Sequence, residues 1–173
     1  AASDVYKRQE GSWAEVVSGF EYQKALDNGV PGDKIIFNGP DKSDEDLTIA
    51  VKNNSPIHID HFDELYSLIT ITEQLNKRAK VAIRVNMDTG IKPLWDRFGF
   101  NYENGQAWEA INKIIYSKNL DLIGLHTHIG TFILDPNAYR VAASKLADLA
   151  INVKNKFKPV SYTHLTLPTI CSV

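Results

Sequence analysis

Apolar residues along this chain recur in short runs separated by longer amphipathic stretches. Residues 15–18, 34–37, 57–60, 80–86 and 120–125 read as strands, short and rich in Val, Ile and Leu. Between and after them, residues 21–28, 43–52, 63–77, 105–117 and 136–157 carry helical signals. Gly29 stops the first helix. Ser43 caps the second, with Asp46 at its third helical position as a short capping-box partner. Asp63 and Glu64 open the third, and Pro136 suits the first turn of the last. Residues 87–104, rich in Gly, Pro, Asp and Asn, read as a loop. Strands alternating with helices at this spacing predict βαβ units and a parallel sheet.

Strand parity divides the sheet into two faces. Side chains alternate along a strand, so His58 and Asp60 oppose Ile57 and Ile59. Ala82, Arg84 and Asn86 likewise oppose Val81, Ile83 and Val85. In the last strand, Leu122, Gly124, His126 and His128 are expected on one face and Ile123, Leu125 and Ile129 on the other. The aliphatic face should pack under the helices. The polar face should point into a barrel or crevice, where Arg84, Asp60 and the histidines pair with each other or with a ligand, because a buried unpaired charge costs several kcal/mol.

Composition narrows the class. The chain has 173 residues, 43% hydrophobic and 23% charged, with a formal net charge of −2. That is long enough for one domain and gives no electrostatic case for nucleic acid or an anionic membrane. One cysteine, Cys171, excludes an internal disulfide framework and a multi-cysteine metal site. No stretch approaches the roughly 20 apolar residues of a membrane span. The N-terminus lacks a signal peptide's apolar core. The expected location is the cytoplasm. Lys77, Arg78 and Lys80 are expected to solvate a helix end.

Both ends break the pattern. Residues 1–9 have no apolar periodicity, and residues 160–173 interrupt the alternation after a clean helix. Both resemble translated sequencing-adapter sequence, of the kind seen at the edges of metagenomic assemblies. The expectation is a native segment over residues 10–159, an internal piece of a longer protein, in which His164 and Cys171 carry no chemistry.

The stretch 122–131 (LIGLHTHIGT) concentrates the candidate chemistry. His126 and His128 admit three readings: a satisfied interior pair, a cofactor platform, or a His-x-His metal site of the amidohydrolase kind, with His58 and Asp60 as helpers. His58 by itself reads as a polar interior residue. Asp96 and Arg97 fit either a loop salt bridge or a substrate-side contact. Trp13, Trp95 and Trp108 read as packing residues, and Lys42 as a solvated loop lysine.

Five segments in order resemble the fold-type III pyridoxal-phosphate-dependent decarboxylases, and within them the diaminopimelate decarboxylase branch. They are 15–21 (EVVSGFE), 34–39 (KIIFNG) with Lys42 and Ser43, 57–60 (IHID) with 62–65 (FDEL), 84–86 (RVN) with 96–99 (DRFG), and 124–131 (GLHTHIGT). The likeness spans roughly residues 13–158. It implies a partial (β/α)8 TIM-type barrel of about five units, with each motif at a strand's C-terminal end.

The resemblance also implies roles. The cofactor is pyridoxal 5'-phosphate, with His128 stacking on its pyridine ring. Thr131 stands where the family usually has Ser, a hydroxyl near the phosphate and ring. Arg84 lies beside the cofactor inside the barrel, and Glu15 near its ring. Glu21 matches a glutamate opening the next helix, and His126 becomes secondary. A flat imidazole suits the ring face, and a fixed guanidinium suits anionic groups.

The family's Schiff-base lysine belongs to a strand upstream of residue 13. Its phosphate-binding glycine loop and C-terminal β-domain lie downstream. No catalytic residue is therefore expected within the chain, and no activity from it alone. The parent is expected to be a homodimer acting on a small amino acid. The loop over residues 87–95 is shorter than in typical diaminopimelate decarboxylases. That leaves ornithine, arginine, lysine and carboxynorspermidine open as substrates of related enzymes. A metal-dependent barrel hydrolase and a noncatalytic barrel-like binding protein stand as the other two readings. Five of eight units also leave open sheet edges, so the isolated chain is expected to aggregate.

Overall fold

In the computed structural model, residues 11–157 are described. The segments 1–9 and 160–173, expected to be non-native, lie outside them. The elements run β1 (Ala14–Val16), α1 (Gly19–Asp27), a 3-10 turn (Gly32–Lys34), β2 (Ile35–Phe37), α2 (Asp44–Lys52), β3 (Ile57–Ile59), α3 (Phe62–Gln74), β4 (Ala79–Asn86), β5 (Phe100–Asn101), α4 (Gln106–Tyr116), β6 (Leu120–His126) and α5 (Pro136–Lys156). All strand pairs are parallel. The sheet runs β1-β2-β3-β4-β6, with β5 added at the C-terminal end of β4. This α/β sheet, with a helix between successive long strands, is the expected partial barrel.

The caps explain where the helices begin. Ser43 Oγ accepts the Asp46 N–H at 3.1 Å and donates to the Asp46 carboxylate at 2.8 Å, so the predicted capping pair forms. Ser18 caps α1, and Glu21 folds back to accept the Val17 N–H at 2.8 Å. The third helix starts one residue earlier than the acidic pair suggested, because His61 Nδ1 accepts the Glu64 N–H at 3.2 Å.

One face of the sheet packs under the helices. Ile35, Phe37, Ile57, Ile59, Ile83 and Val85 meet Leu47, Leu65, Leu68 and Ile111 in a continuous apolar core. Each fully buried Leu or Ile contributes about 1.5–3 kcal/mol relative to an exposed one. In α4, Ala107, Ala110, Ile111 and Ile114 form the i, i+3, i+4, i+7 stripe that faces this core.

Two expectations fail here. Strict alternation does not hold through β6. Leu120 pairs with Ala79 and Leu122 with Val81, but Gly124, not Ile123, pairs with Ala82. A bulge at Ile123 advances the phase by one. Leu120, Leu122 and Leu125 therefore all join the core, and Gly124 and His126 align with Ala82 and Arg84 on the polar face. The loop over 87–104 also contains β5. Val85 pairs with Phe100 and Asn86 with Asn101, and the Asn101 amide donates to Asn86 Oδ1 at 2.8 Å. Two residues of strand are too short to leave a periodic signal.

In the basic cluster after α3, Arg78 and Lys80 are exposed as expected, and Lys77 is partly buried. Lys77 reaches the C-terminus of α2, donating to Lys52 O at 2.7 Å and Asn54 Oδ1 at 3.2 Å. Arg78 pairs with Asp121, its Nε 3.0 Å from Oδ2.

Candidate cofactor site

The polar face is a connected network. Asn38, two residues beyond Ile36, sits at its centre. Its Nδ2 donates to Glu15 Oε1 at 2.6 Å and lies 3.4 Å from His126 Nε2, while its Oδ1 faces His58 Nδ1 at 3.1 Å. The His58 and His126 rings lie 5.0 Å apart, tilted by 36°. Both are buried. Burial, reinforced by the Lys42 and Arg84 charges, lowers the His58 pKa to about 4. Burial first, then His58, Arg84 and His128, lowers that of His126 to about 3. Both rings are neutral at pH 7. His126 Nδ1 has no partner among the described residues.

Of the partners left open by parity, Arg84 and Asp60 choose each other, Nη1 to Oδ1 at 3.3 Å, with side chains 11% and 7% exposed. The other Asp60 oxygen accepts the Gly99 N–H at 3.2 Å. Arg84 also lies over the Phe98 ring, 5.1 Å from its centroid. Gly99 is required here. Its φ is +85°, and a Cβ would approach Arg84 O to 2.8 Å. Asp60 thus ties Arg84 on β4 to the returning end of the 87–98 loop.

His128 lies two residues past the end of β6, half-buried, with Trp95 edge-on to its ring at 6.1 Å. Partial burial and the Arg84 charge lower its pKa, while Glu15 opposes them. Thr131 is exposed at the turn after it. Glu15 is largely exposed on β1, held by Asn38. Arg84, Glu15 and His128 thus share the C-terminal side of the sheet. Thr131 has no hydrogen-bond partner among the described residues. Glu21 serves the α1 cap instead.

Some residues behave differently from their sequence reading. Lys42 is not solvated. Its side chain is fully buried, 2.7 Å from Glu64 Oε1, and it donates to Gly39 O and, at 3.0 Å, to His58 O. Glu64 accepts the Asp60 N–H through Oε2 at 2.9 Å. Burial raises the Glu64 pKa, although Lys42 pulls it down. The position of Lys42 between a loop and a helix cap carried no sign of this burial. Asn38 and Glu64 were missed as site residues, although the inner phase of β2 pointed to Asn38. Trp13 is 54% exposed rather than packed. Asp96 and Arg97 form no salt bridge with each other. Among the described residues, no three His, Cys, Asp or Glu side chains converge as metal ligands, and His126 is engaged with Asn38 instead.

The network suits an aromatic anionic ligand on one wall. It offers a buried guanidinium, a partly exposed imidazole and a carboxylate, all on one side of the sheet. Comparisons agree with that chemistry. The family model described as "Pyridoxal-dependent decarboxylase, pyridoxal binding domain" matches residues 6–162. Diaminopimelate decarboxylase of Aquifex aeolicus is 32% identical over 164 residues, covering 88% of this chain and 38% of the relative. That of Bacillus subtilis is 32% identical over 149 residues, covering 80% and 34%. The solved diaminopimelate decarboxylase of M. jannaschii superposes with a TM-score of 0.78 at 28% identity, covering 87% of this chain and 37% of that one. A point mutant of the Helicobacter pylori enzyme, solved with L-lysine, gives 0.78 at 29%, covering 87% and 40%. The chain therefore spans between a third and two fifths of the length of these relatives. These matches disfavour the barrel-hydrolase and binding-protein readings. Five strand-end motifs, the polar network and the family match together place this chain in the pyridoxal-binding domain family of the pyridoxal-dependent decarboxylases.

Proposed function

We propose that this chain is one wall of the cofactor site in an amino-acid decarboxylase of the diaminopimelate decarboxylase kind. One observation carries the reading. Arg84, His128 and Glu15 stand toward the C-terminal ends of β4, β6 and β1 in one parallel sheet, where α/β barrels place their chemistry. Pyridoxal 5'-phosphate, when bound, supplies an electron sink for the pair left by a departing α-carboxylate.

The chain's own residues bind and orient it. His128 presents a neutral ring face to the pyridine ring. Arg84, held by Asp60, supplies fixed positive charge beside it. Glu15, held by Asn38, sets negative charge near the ring. Thr131 contributes a hydroxyl toward the phosphate. His126 and His58 support the wall from beneath. No residue within 11–157 is assigned the covalent step, since the buried Lys42 is committed to Glu64 and two carbonyls.

The substrate class is a small amino acid, supported by relatives solved with L-lysine. The parent is proposed to be a cytoplasmic homodimer, with no nucleic-acid or membrane partner. Among the described residues, no helix is long and apolar enough to cross a membrane.

The test is a pyridoxal phosphate titration of the complete native protein that carries these residues, followed by absorbance, with carbon dioxide release from meso-diaminopimelate as the second readout. Arg84→Met and His128→Ala should each weaken cofactor affinity about tenfold or more, equivalent to about 1.4 kcal/mol. Wild-type protein with no cofactor absorbance, or both variants with wild-type affinity, defeats the reading.

A further inference from the structure

Lys42 and Glu64 are side chains of opposite charge at 0% and 1% exposure. A buried ion pair is seldom a net gain in stability over well-packed apolar side chains. Its other contacts therefore matter. Lys42 donates to the carbonyls of Gly39 and His58, and Glu64 accepts the Asp60 N–H. His58 and Asp60 flank Ile59, the last residue of β3. The pair thus grips the strand end from two sides. Gly39 is fixed in turn by close approach to β1, since a Cβ there would collide with Val17 O.

We propose that Glu64 is a positioning residue for Arg84: by accepting the Asp60 N–H it holds the Asp60 carboxylate where it receives both the Arg84 guanidinium and the Gly99 N–H, while Lys42 balances its buried charge. The path is continuous. Lys42 Nζ meets Glu64 Oε1 at 2.7 Å, and Glu64 Oε2 meets Asp60 N at 2.9 Å. Asp60 then reaches Arg84 Nη1 at 3.3 Å and Gly99 N at 3.2 Å. The charges stay in the interior while their effect emerges at the cofactor-facing cation. The link to cofactor binding rests on the function proposed above, whereas the positioning of Asp60 does not.

Two double variants of the complete native protein separate positioning from charge burial. Lys42→Met/Glu64→Gln removes both charges but keeps an acceptor for the Asp60 N–H. Lys42→Met/Glu64→Leu removes both charges and that acceptor. Amide hydrogen exchange at Gly99 reads the Asp60 contact directly. The Gln variant should exchange within about threefold of wild type, and the Leu variant about tenfold or more faster, with α4 amides unchanged in both. Cofactor affinity should follow, near wild type for Gln and weakened about tenfold for Leu.

Equal Gly99 exchange in the two variants overturns the proposal. If wild type binds no cofactor, the function reading falls and the exchange comparison still judges the positioning of Asp60. Should the Leu variant fail to fold, Glu64→Asp takes its place, keeping the charge but shortening its reach by one methylene. Wild-type Gly99 exchange there overturns the proposal, and faster exchange supports it.

Discussion

Lowering the pH from 7.5 to 5 should cost this fold about 4 kcal/mol through His58 and His126, two imidazoles at about 2 kcal/mol each. Unfolded, an imidazole titrates near pH 6.5 and is mostly protonated at pH 5. Folded, the pKa values of about 4 and about 3 keep both rings neutral there. The unfolded state therefore binds more protons over this window, and stability rises with pH. It is complete above about pH 6.5 and is lost progressively as pH falls toward the folded values. Glu64 works in the opposite sense. Its raised pKa means burial penalises the carboxylate, and acid relieves that penalty. A variant difference removes this offset. Urea unfolding of the complete native protein at pH 7.5 and 5, with and without His126→Asn, isolates one ring. Wild type should lose about 2 kcal/mol more than the variant between the two pH values, a sizeable part of an ordinary domain's stability. Equal losses in the two proteins would refute the buried neutral imidazole.

Gly99→Ala should destabilise by about 2 kcal/mol or more in urea unfolding, since alanine is strained at φ +85° and its Cβ meets Arg84 O. Tyr22→Phe removes the 2.6 Å contact between the Tyr22 and Ser55 hydroxyls and should cost about 1 kcal/mol by the same assay, because Ser55 keeps its bond to Gly32 O. Among the described residues, β1 and β6 are sheet edges without a second neighbour. The 173-residue chain by itself should therefore elute from size exclusion as large assemblies, and a sharp monomeric melt would contradict this.

The strands and helices were legible because each strand carries an aliphatic phase and each helix a start or stop residue. Ser43 with Asp46, and Pro136, marked their helices correctly. Parity placed Arg84 and Asp60 on one inner face, to pair with each other, the histidines or a ligand, and the structure shows them paired with each other. Parity failed only at Ile123, because a bulge adds a residue without altering composition. Lys42 was misread for a different reason. Burial of a lysine depends on a carboxylate twenty-two positions away, on a helix whose first turn looked like ordinary dipole chemistry. Asn38 was overlooked because an amide after a strand usually marks a turn, and its three contacts come from β1, β3 and β6.

The orientation of the Asn38 amide also decides where two protons sit. Glu15 is a carboxylate and can only accept, so Nδ2 must face it and Oδ1 must face His58. His58 then carries its proton on Nδ1 to donate to that oxygen. The second amide hydrogen points to His126 Nε2, which therefore stays unprotonated and leaves the His126 proton on Nδ1. A single side chain just past β2 thus selects the tautomer of two imidazoles on two other strands. Asn38→Asp would keep the acceptor that faces His58 but set a second acceptor against Glu15 and His126, so His126 would have to move its proton to Nε2 while His58 kept its own.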